Sequence, residues 1–213
     1  MFRRFSLIDR LTVEVDHFIR SVYVPARHAN RPSPAETVSD CVFDDEKKNH
    51  VAGLMRVDHT GEICAQALYR GQAVVAKTQL TKTQLQQAAE EEYDHLSWCQ
   101  QRLDELSAST SRLNPFWYLA SFTIGATAGM ISDKLSYGFV VETERQVMRH
   151  LDKHLSELPE NDEKSRVILT QMYKDEAEHA VNAKLAGGVE LPFVIRLMMK
   201  AQSKVMTTVA YRM

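Results

Sequence analysis

Two quartets in this chain, Glu92-Tyr93-Asp94-His95 and Glu176-Ala177-Glu178-His179, have the composition and spacing of a metal grip. On an α-helix, residues three apart share a face and lean the same way along the axis, so a carboxylate and an imidazole at that spacing reach one ion together. Each quartet also has a lone glutamate roughly 30 residues upstream, Glu62 before the first and Glu142 before the second. Four glutamates and two histidines offer oxygen and nitrogen ligands without thiolate, which suits Fe(II) or Mn(II) better than structural Zn or Cu(I). Four carboxylates balance two divalent ions, giving the neutral site that burial requires. The natural assignment puts Glu62 and His95 on one ion, Glu142 and His179 on the other, with Glu92 and Glu176 bridging.

One such quartet proves little. Glu14-Val15-Asp16-His17 has the same spacing but no upstream helix to supply a partner carboxylate, and it reads as a solvated face. His150 and His154 lie one turn apart without a carboxylate at ligand spacing, which suggests a solvated or bundle-capping role. Asp58 and His59, one turn before Glu62, are either partners that orient a ligand or ordinary polar positions.

Four long helical segments must position these residues. They are expected over 46–77, 82–107 (opened by a capping signal at Thr81-x-x-Gln84), 132–158 (ended by Pro159) and 162–186 (stopped by Gly187-Gly188). If the last two form a hairpin turning near Pro159–Asn161, Glu142 and Glu176 lie about 17 residues from the turn, at one level of the bundle. In the first hairpin, turning near Gln79, Glu62 and Glu92 mismatch by roughly 6 Å. The Glu…Glu-x-x-His unit recurs about 80 residues later, as two helix hairpins packed face to face would require. The ligand set, one Glu from each of two helices and Glu-x-x-His from the other two, is that of ferritin-like di-iron and di-manganese bundles.

Composition agrees with an all-α class: only 8 Gly and 6 Pro occur in 213 residues. The length suits one core. A net charge of −2 gives no reason to expect nucleic acid as a partner. Three cysteines without C-x-x-C spacing suggest neither disulfides nor a zinc ribbon and fit a reducing compartment. The start, Met1-Phe2-Arg3-Arg4-Phe5 followed by an apolar pattern broken by charges, reads as no cleaved targeting segment. Residues 1–45 are expected to form an N-terminal amphipathic helix, capped by Ser6 and Asp9, and a linker packed on the body; 46–213 form the main domain.

Between the hairpins, residues 113–131 carry no charge, but their Ser, Thr and Gly make them only mildly apolar. A crossover helix packed on the bundle, or lying partly in a membrane surface, is expected rather than a span. In the tail, Arg196, Lys200 and Lys204 form a basic stripe opposite Phe193, Val194, Leu197, Met198, Ala201, Val205 and Val209. This additional C-terminal amphipathic helix either caps the bundle or lies in a membrane interface.

At Arg56-Val57-Asp58-His59-Thr60-Gly61-Glu62 the chain resembles the demethoxyubiquinone hydroxylases of ubiquinone biosynthesis, a membrane-associated branch of the ferritin-like superfamily. The resemblance extends through Glu90–Leu96, Val140–Glu142, Asp175–His179 and the ending from Glu190 to Arg212, and covers roughly residues 48–213. It implies a ferritin-like four-helix bundle that holds two Fe2+ ions on Glu62, Glu92, His95, Glu142, Glu176 and His179. The implied activity is an O2-dependent di-iron monooxygenase hydroxylating the ring of a demethoxyubiquinol; the rival is a ferritin-like iron-oxidising or storage protein. A prenylated quinol substrate implies peripheral attachment to the cytoplasmic face of the inner membrane and favours membrane contact for the tail. The resemblance leaves room for a homo-oligomer and for contact with other ubiquinone-biosynthesis proteins.

Overall fold

The structure, a computed structural model, describes residues 6–26 and 29–213. The Met1–Phe5 stretch read above, and Arg27 and His28 of the linker, lie outside the described residues. Among those described, the chain is all-helical: α1 (Leu7–Tyr23), α2 (Asp45–Val75), α3 (Gln79–Glu105), α4 (Asn114–Ile131), α5 (Asp133–Glu157), α6 (Glu163–Leu185) and α7 (Phe193–Ala210).

Local chemistry sets the helix ends. Ser6 and Asp9 form the expected capping box at the start of α1. Gly187, at φ 105°, ends α6; the Gly188 N–H donates to the Ala183 carbonyl and Gly187 to Lys184, the paired closure that a left-handed residue past the helix end permits. The start of α3 differs from expectation. Thr78, not Thr81, is the N-cap, its hydroxyl accepting the Thr81 N–H at 3.1 Å. Asp133 takes the N–H groups of Lys77 and Thr78 at 2.8 and 3.1 Å and fixes a shorter turn.

That turn removes the mismatch in the first hairpin. Glu62 and Glu92 each lie 15 residues from Lys77, the middle of the connection between α2 and α3. The two hairpins α2/α3 and α5/α6 form a four-helix bundle with two apolar plugs along its axis. Met55, Trp98, Leu103, Leu151, Leu169 and Met172 fill one end; Leu68, Tyr69, Leu85, Tyr137 and Val140 fill the other. Each large aliphatic side chain buried there contributes about 1.5–3 kcal/mol. The polar layer between the plugs is the site.

The crossover α4 lies along the outside of α2, where two glycines allow the backbones to touch. A Cβ on Gly71 would stand 2.1 Å from the Phe122 carbonyl oxygen, and one on Gly125 the same distance from that of Leu68. α7 flanks α4 on one side, through Trp117 with Met206 and Ala210 and through Ala128 with Ile195 and Met199. α1 flanks it on the other, through Phe18 against Tyr118 at 5.2 Å. Among the described residues no helix is long and apolar enough to cross a membrane.

The linker between α1 and α2 runs as a strap along α3. The carbonyl of Ala26 accepts from Ser97 at 2.8 Å, and Asp40 holds the buried Arg102 at 3.0 Å.

Candidate metal centre

Five of the six expected residues converge in the polar layer. Glu62 comes from α2, Glu92 and His95 from α3, Glu176 and His179 from α6. Glu62, Glu92, His95 and Glu176 form one group of donor atoms lying within 4.8 Å of one another, and Glu92, Glu176 and His179 belong to a second. Glu92 and Glu176 are shared by both groups, the arrangement that bridging carboxylates need.

The sixth member is Glu144, which joins Glu92, Glu176 and His179. The expected Glu142 is turned away, its Oε1 accepting from Gln146 at 2.8 Å and lying 3.4 Å from Arg149, both on its own helix. The reason is helical rotation. Two residues change depth by only about 3 Å but turn the side chain by about 200°. Depth alone therefore cannot choose between the two glutamates, whereas facing does. A signal was present: Glu144 and Glu176 are each 16 residues from Glu160 at the middle of the second turn, matching the symmetric first hairpin. Glu144 is fully buried, with the Tyr69 hydroxyl donating to its Oε1.

Each histidine points Nδ1 inward. His95 Nδ1 is 3.1 Å from Glu92 and 3.0 Å from Glu176; His179 Nδ1 is 3.1 Å from Glu176 and 3.2 Å from Glu92. The outer Nε2 atoms are held by carboxylates that spacing did not single out. Asp175 meets His95 Nε2 at 2.9 Å and Glu91 meets His179 Nε2 at 3.0 Å. Each is the residue just before the shared glutamate on its own helix and braces the histidine of the opposite helix. Such carboxylate–histidine pairs fix the tautomer that leaves the inner nitrogen free to ligate.

The electrostatics ask for cations. Burial pushes Glu62 well above the ordinary carboxylate range, and the charges of Glu92 and Glu176 add to that against the opposing His95 hydrogen bond. Burial likewise raises Glu144, with Glu176 and Glu92 adding. Burial also opposes the charge on Glu92, but hydrogen bonds from His179 and His95 outweigh it and hold this carboxyl low. For both imidazoles burial disfavours the charged ring, and the surrounding carboxylates override it, raising His95 and His179 above the usual histidine value. Glu144 Oε2 is buried with no hydrogen-bond partner, and the buried Glu92 Oε1 and Glu176 Oε1 meet only the inner nitrogens of His179 and His95, at 3.2 and 3.0 Å. Four carboxylates in a dry layer that offers them little besides two imidazoles fit two divalent ions. Among the described residues no cysteine joins either donor group: Cys99 is buried against Met172, burial raising its thiol well above the ordinary value, and burial pushes the Cys64 thiol up to about 11.

A mostly apolar cavity, open on one side, reaches the cluster at Glu62. Its walls include Leu68, Ile124, Phe139, Met199 and Met206, from α2, α4, α5 and α7. Asp58 and His150 line it too. Contrary to the solvated reading, His154 is buried with Nδ1 2.8 Å from Asp58, and His150 Nε2 is 2.8 Å from the Ser203 hydroxyl. Asp58 thus braces α2 to α5 rather than orienting a ligand. Burial lowers His59 to about 3, so its ring is neutral. The third quartet is not simply solvated either: Glu14 pairs with the buried Arg70 at 2.9 and 3.0 Å and ties α1 to α2.

The sequence pattern of the family described as ubiquinone biosynthesis protein COQ7 matches residues 49–210. A protein of Francisella philomiragia subsp. philomiragia named 3-demethoxyubiquinol 3-hydroxylase is 61% identical over 210 residues, 99% of each chain. One of the same name from Francisella tularensis subsp. holarctica is 60% identical, again over 99% of each. The family pattern spans the stretch that carries the donor layer and the relatives match over nearly the full length: the chain belongs to the ubiquinone biosynthesis protein COQ7 family.

Proposed function

We propose that this chain is a di-iron monooxygenase that hydroxylates the ring of 3-demethoxyubiquinol, with O2 as co-substrate. The names of its relatives support the reaction. The metal ligands in this reading are Glu62, Glu92, His95, Glu144, Glu176 and His179, with Glu144 replacing Glu142. Iron held there would supply O2 activation and the transfer of one oxygen atom to a ring carbon, the other leaving as water with two electrons and two protons from an external reductant.

The observation that carries the reading is the apolar cavity ending on Glu62. Glu62 belongs to both the cluster and the cavity wall, so a ring entering the cavity arrives beside the metal. Iron storage has no use for such a cavity. Asp58, one turn from Glu62 or about 6 Å along the helix, lines the same wall, and its Oδ2 has no donor. A quinol hydroxyl is a donor of the right kind, and the Asp58–His154 pair holds that acceptor in place. Leu68, Ile124 and Phe139 keep water from the ring.

The long prenyl tail of such a substrate calls for access from a membrane surface. α4 and α7, which roof the cavity, expose Phe116, Leu119, Met130, Ile131, Phe193, Val194, Leu197 and Met198. Arg196, Lys200 and Lys204 are exposed beside them, suited to anionic headgroups. Neutralising these three residues to glutamine lowers affinity for anionic vesicles by roughly 100-fold, at about 1 kcal/mol per charge. The free cysteines favour the cytoplasmic face. In this arrangement 46–213 form the catalytic unit, and α1 and the described part of the strap its cover.

Quinone profiling tests the function. Cells lacking the gene accumulate 3-demethoxyubiquinone, and the wild-type gene, but not Glu176→Ala or His179→Ala, restores ubiquinone. Normal ubiquinone in the deleted strain refutes the reading.

A further inference from the structure

The two histidines of the cluster are braced unequally, and the difference originates in the strap. Arg31 lies across α3 beside His95. Its Nε is 3.0 Å from Asp94 Oδ2 and its Nη1 2.8 Å from Asp175 Oδ2, the same oxygen that faces His95 Nε2 at 2.9 Å. The guanidinium sits 4.9 Å over the Trp98 ring, and the Trp98 indole N–H donates to the Arg31 carbonyl at 3.3 Å. The neighbouring Asn30 N–H donates to Asp94 Oδ1 at 2.6 Å. Arg31 is thus fixed by its own backbone, by an aromatic face and by two carboxylates that balance its charge.

Among the described residues the other half of the cluster has no such anchor. Glu91, which braces His179, takes one further hydrogen bond, from Gln87 at 2.9 Å on its own helix. Its side chain is 41% exposed, against 12% for Asp175. His179 and Glu91 also line an open cleft between α3, α5 and α6.

We infer that Arg31 is a positioning residue that preorganises the His95 half of the metal cluster by locking Asp175, so that this half binds its ion first and more tightly. The inference rests on the two-metal reading above. A carboxylate behind a ligating histidine sets the ring's orientation and tautomer. Arg31 supplies a planar fork that stays charged and engages Asp94 and Asp175 together, so Asp175 has one available position. The Nδ1 of His95 then faces Glu62, Glu92 and Glu176 in a fixed orientation before an ion arrives, whereas His179, which faces Glu92 and Glu176 in the same way, is braced only by the more exposed Glu91 and is held less tightly. Ordering in advance lowers what binding must cost.

The test is anaerobic titration of the purified full chain with Fe(II) against a competing chelator, for wild type, Arg31→Gln, Arg31→Lys and Asp40→Asn. Thermal unfolding of each metal-free protein runs in parallel. Wild type takes up two Fe(II) per chain in two resolved steps. Arg31→Gln weakens the tighter step by about 10- to 100-fold and leaves the weaker one unchanged. Arg31→Lys keeps the charge without the fork and recovers only part of the loss. Asp40→Asn loosens the same strap at Arg102 and lowers the unfolding midpoint with both iron steps intact. Wild-type affinities in Arg31→Gln overturn the inference, as does an Asp40→Asn loss of the tight step equal to that of Arg31→Gln. If Arg31→Gln does not fold, Arg31→Lys decides, and an unchanged tight step there overturns it. A wild type that binds no iron instead refutes the two-metal reading, a separate and recognisable result.

Discussion

The hairpins α2/α3 and α5/α6 present the same three donors at the same depth, yet Glu62 opens on a cavity while its counterpart Glu144 is sealed by Tyr69. The outer braces differ in the same way, Asp175 pinned by the strap and Glu91 bordering an open cleft. The repeat therefore supplies a symmetric frame of ligands. Elements outside the repeat give it direction: α4 and α7 roof the side where a ring can approach, and the strap closes the face behind His95. The chemistry of the donors lies in the duplicated part and their use in the unduplicated part.

The sharpest way to break this equivalence is at the second hairpin. Glu144→Ala lowers hydroxylase activity by more than about 100-fold and reduces iron per chain, whereas Glu142→Ala changes both far less. Metal analysis of the two purified variants decides it, and the reverse result would return Glu142 to the cluster. Next in size is an obstruction of the open side. A Cβ at Gly61 meets nothing within 4 Å and Gly61 lines the cavity. Gly61→Phe raises the KM for the quinol on the order of tenfold, the cost of overpacking, with two iron ions still bound. An unchanged KM would remove the cavity as the substrate's route.

On the sealed side, Tyr69→Phe strips the donor from a buried Glu144 oxygen. The metal-free protein loses roughly 1–3 kcal/mol, at about 2–4 °C of midpoint for each, and the KM is unaffected. A KM effect matching that of Gly61→Phe would show the two sides to be alike. The smallest expected effect concerns the brace between the hairpins. Burial disfavours the charged His154 ring, but the charge and hydrogen bond of Asp58 outweigh it and raise its pKa above the ordinary 6.5. Glu157 adds to that rise and Lys153 opposes it. Because the folded value is raised, the pair's contribution is fully present below about 6.5 and is lost as pH rises through the folded value. His154→Gln therefore flattens the decline of the unfolding midpoint above that pH. An unaltered slope would mean that His154 and Asp58 do not share a proton-linked pair.

Much of the frame was legible. The quartets, the α6 stop at Gly187 and the Ser6–Asp9 cap all depend on contacts within one helix or its ends, and such contacts leave a local pattern; Glu62 was legible from its place upstream of the first quartet on the partner helix of the hairpin. The crossover was also visible as an uncharged run, and Gly71 and Gly125 show how it packs. Facing was harder to read. The Glu142-Thr143-Glu144 stretch offers two carboxylates within about 3 Å of depth, and only the true midpoint of the second turn favours Glu144. Glu14 looked solvated because its partner Arg70 lies 56 residues away on another helix.

The sequence by itself determined the kind of chemistry: six donors of oxygen and nitrogen type, arranged twice, on helices of sufficient length. Intrahelical spacing is rigid, so residue numbers translate directly into shared faces. Only the tertiary structure decided which glutamate joins the second group of donors, which carboxylate stands behind each histidine, and which helix faces line the cavity beside Glu62. These depend on how one helix is rotated against another and on pairs such as His179 with Glu91, 88 residues apart. No period along the chain records that rotation; it is fixed by packing of the plugs, the crossover and the strap around the site.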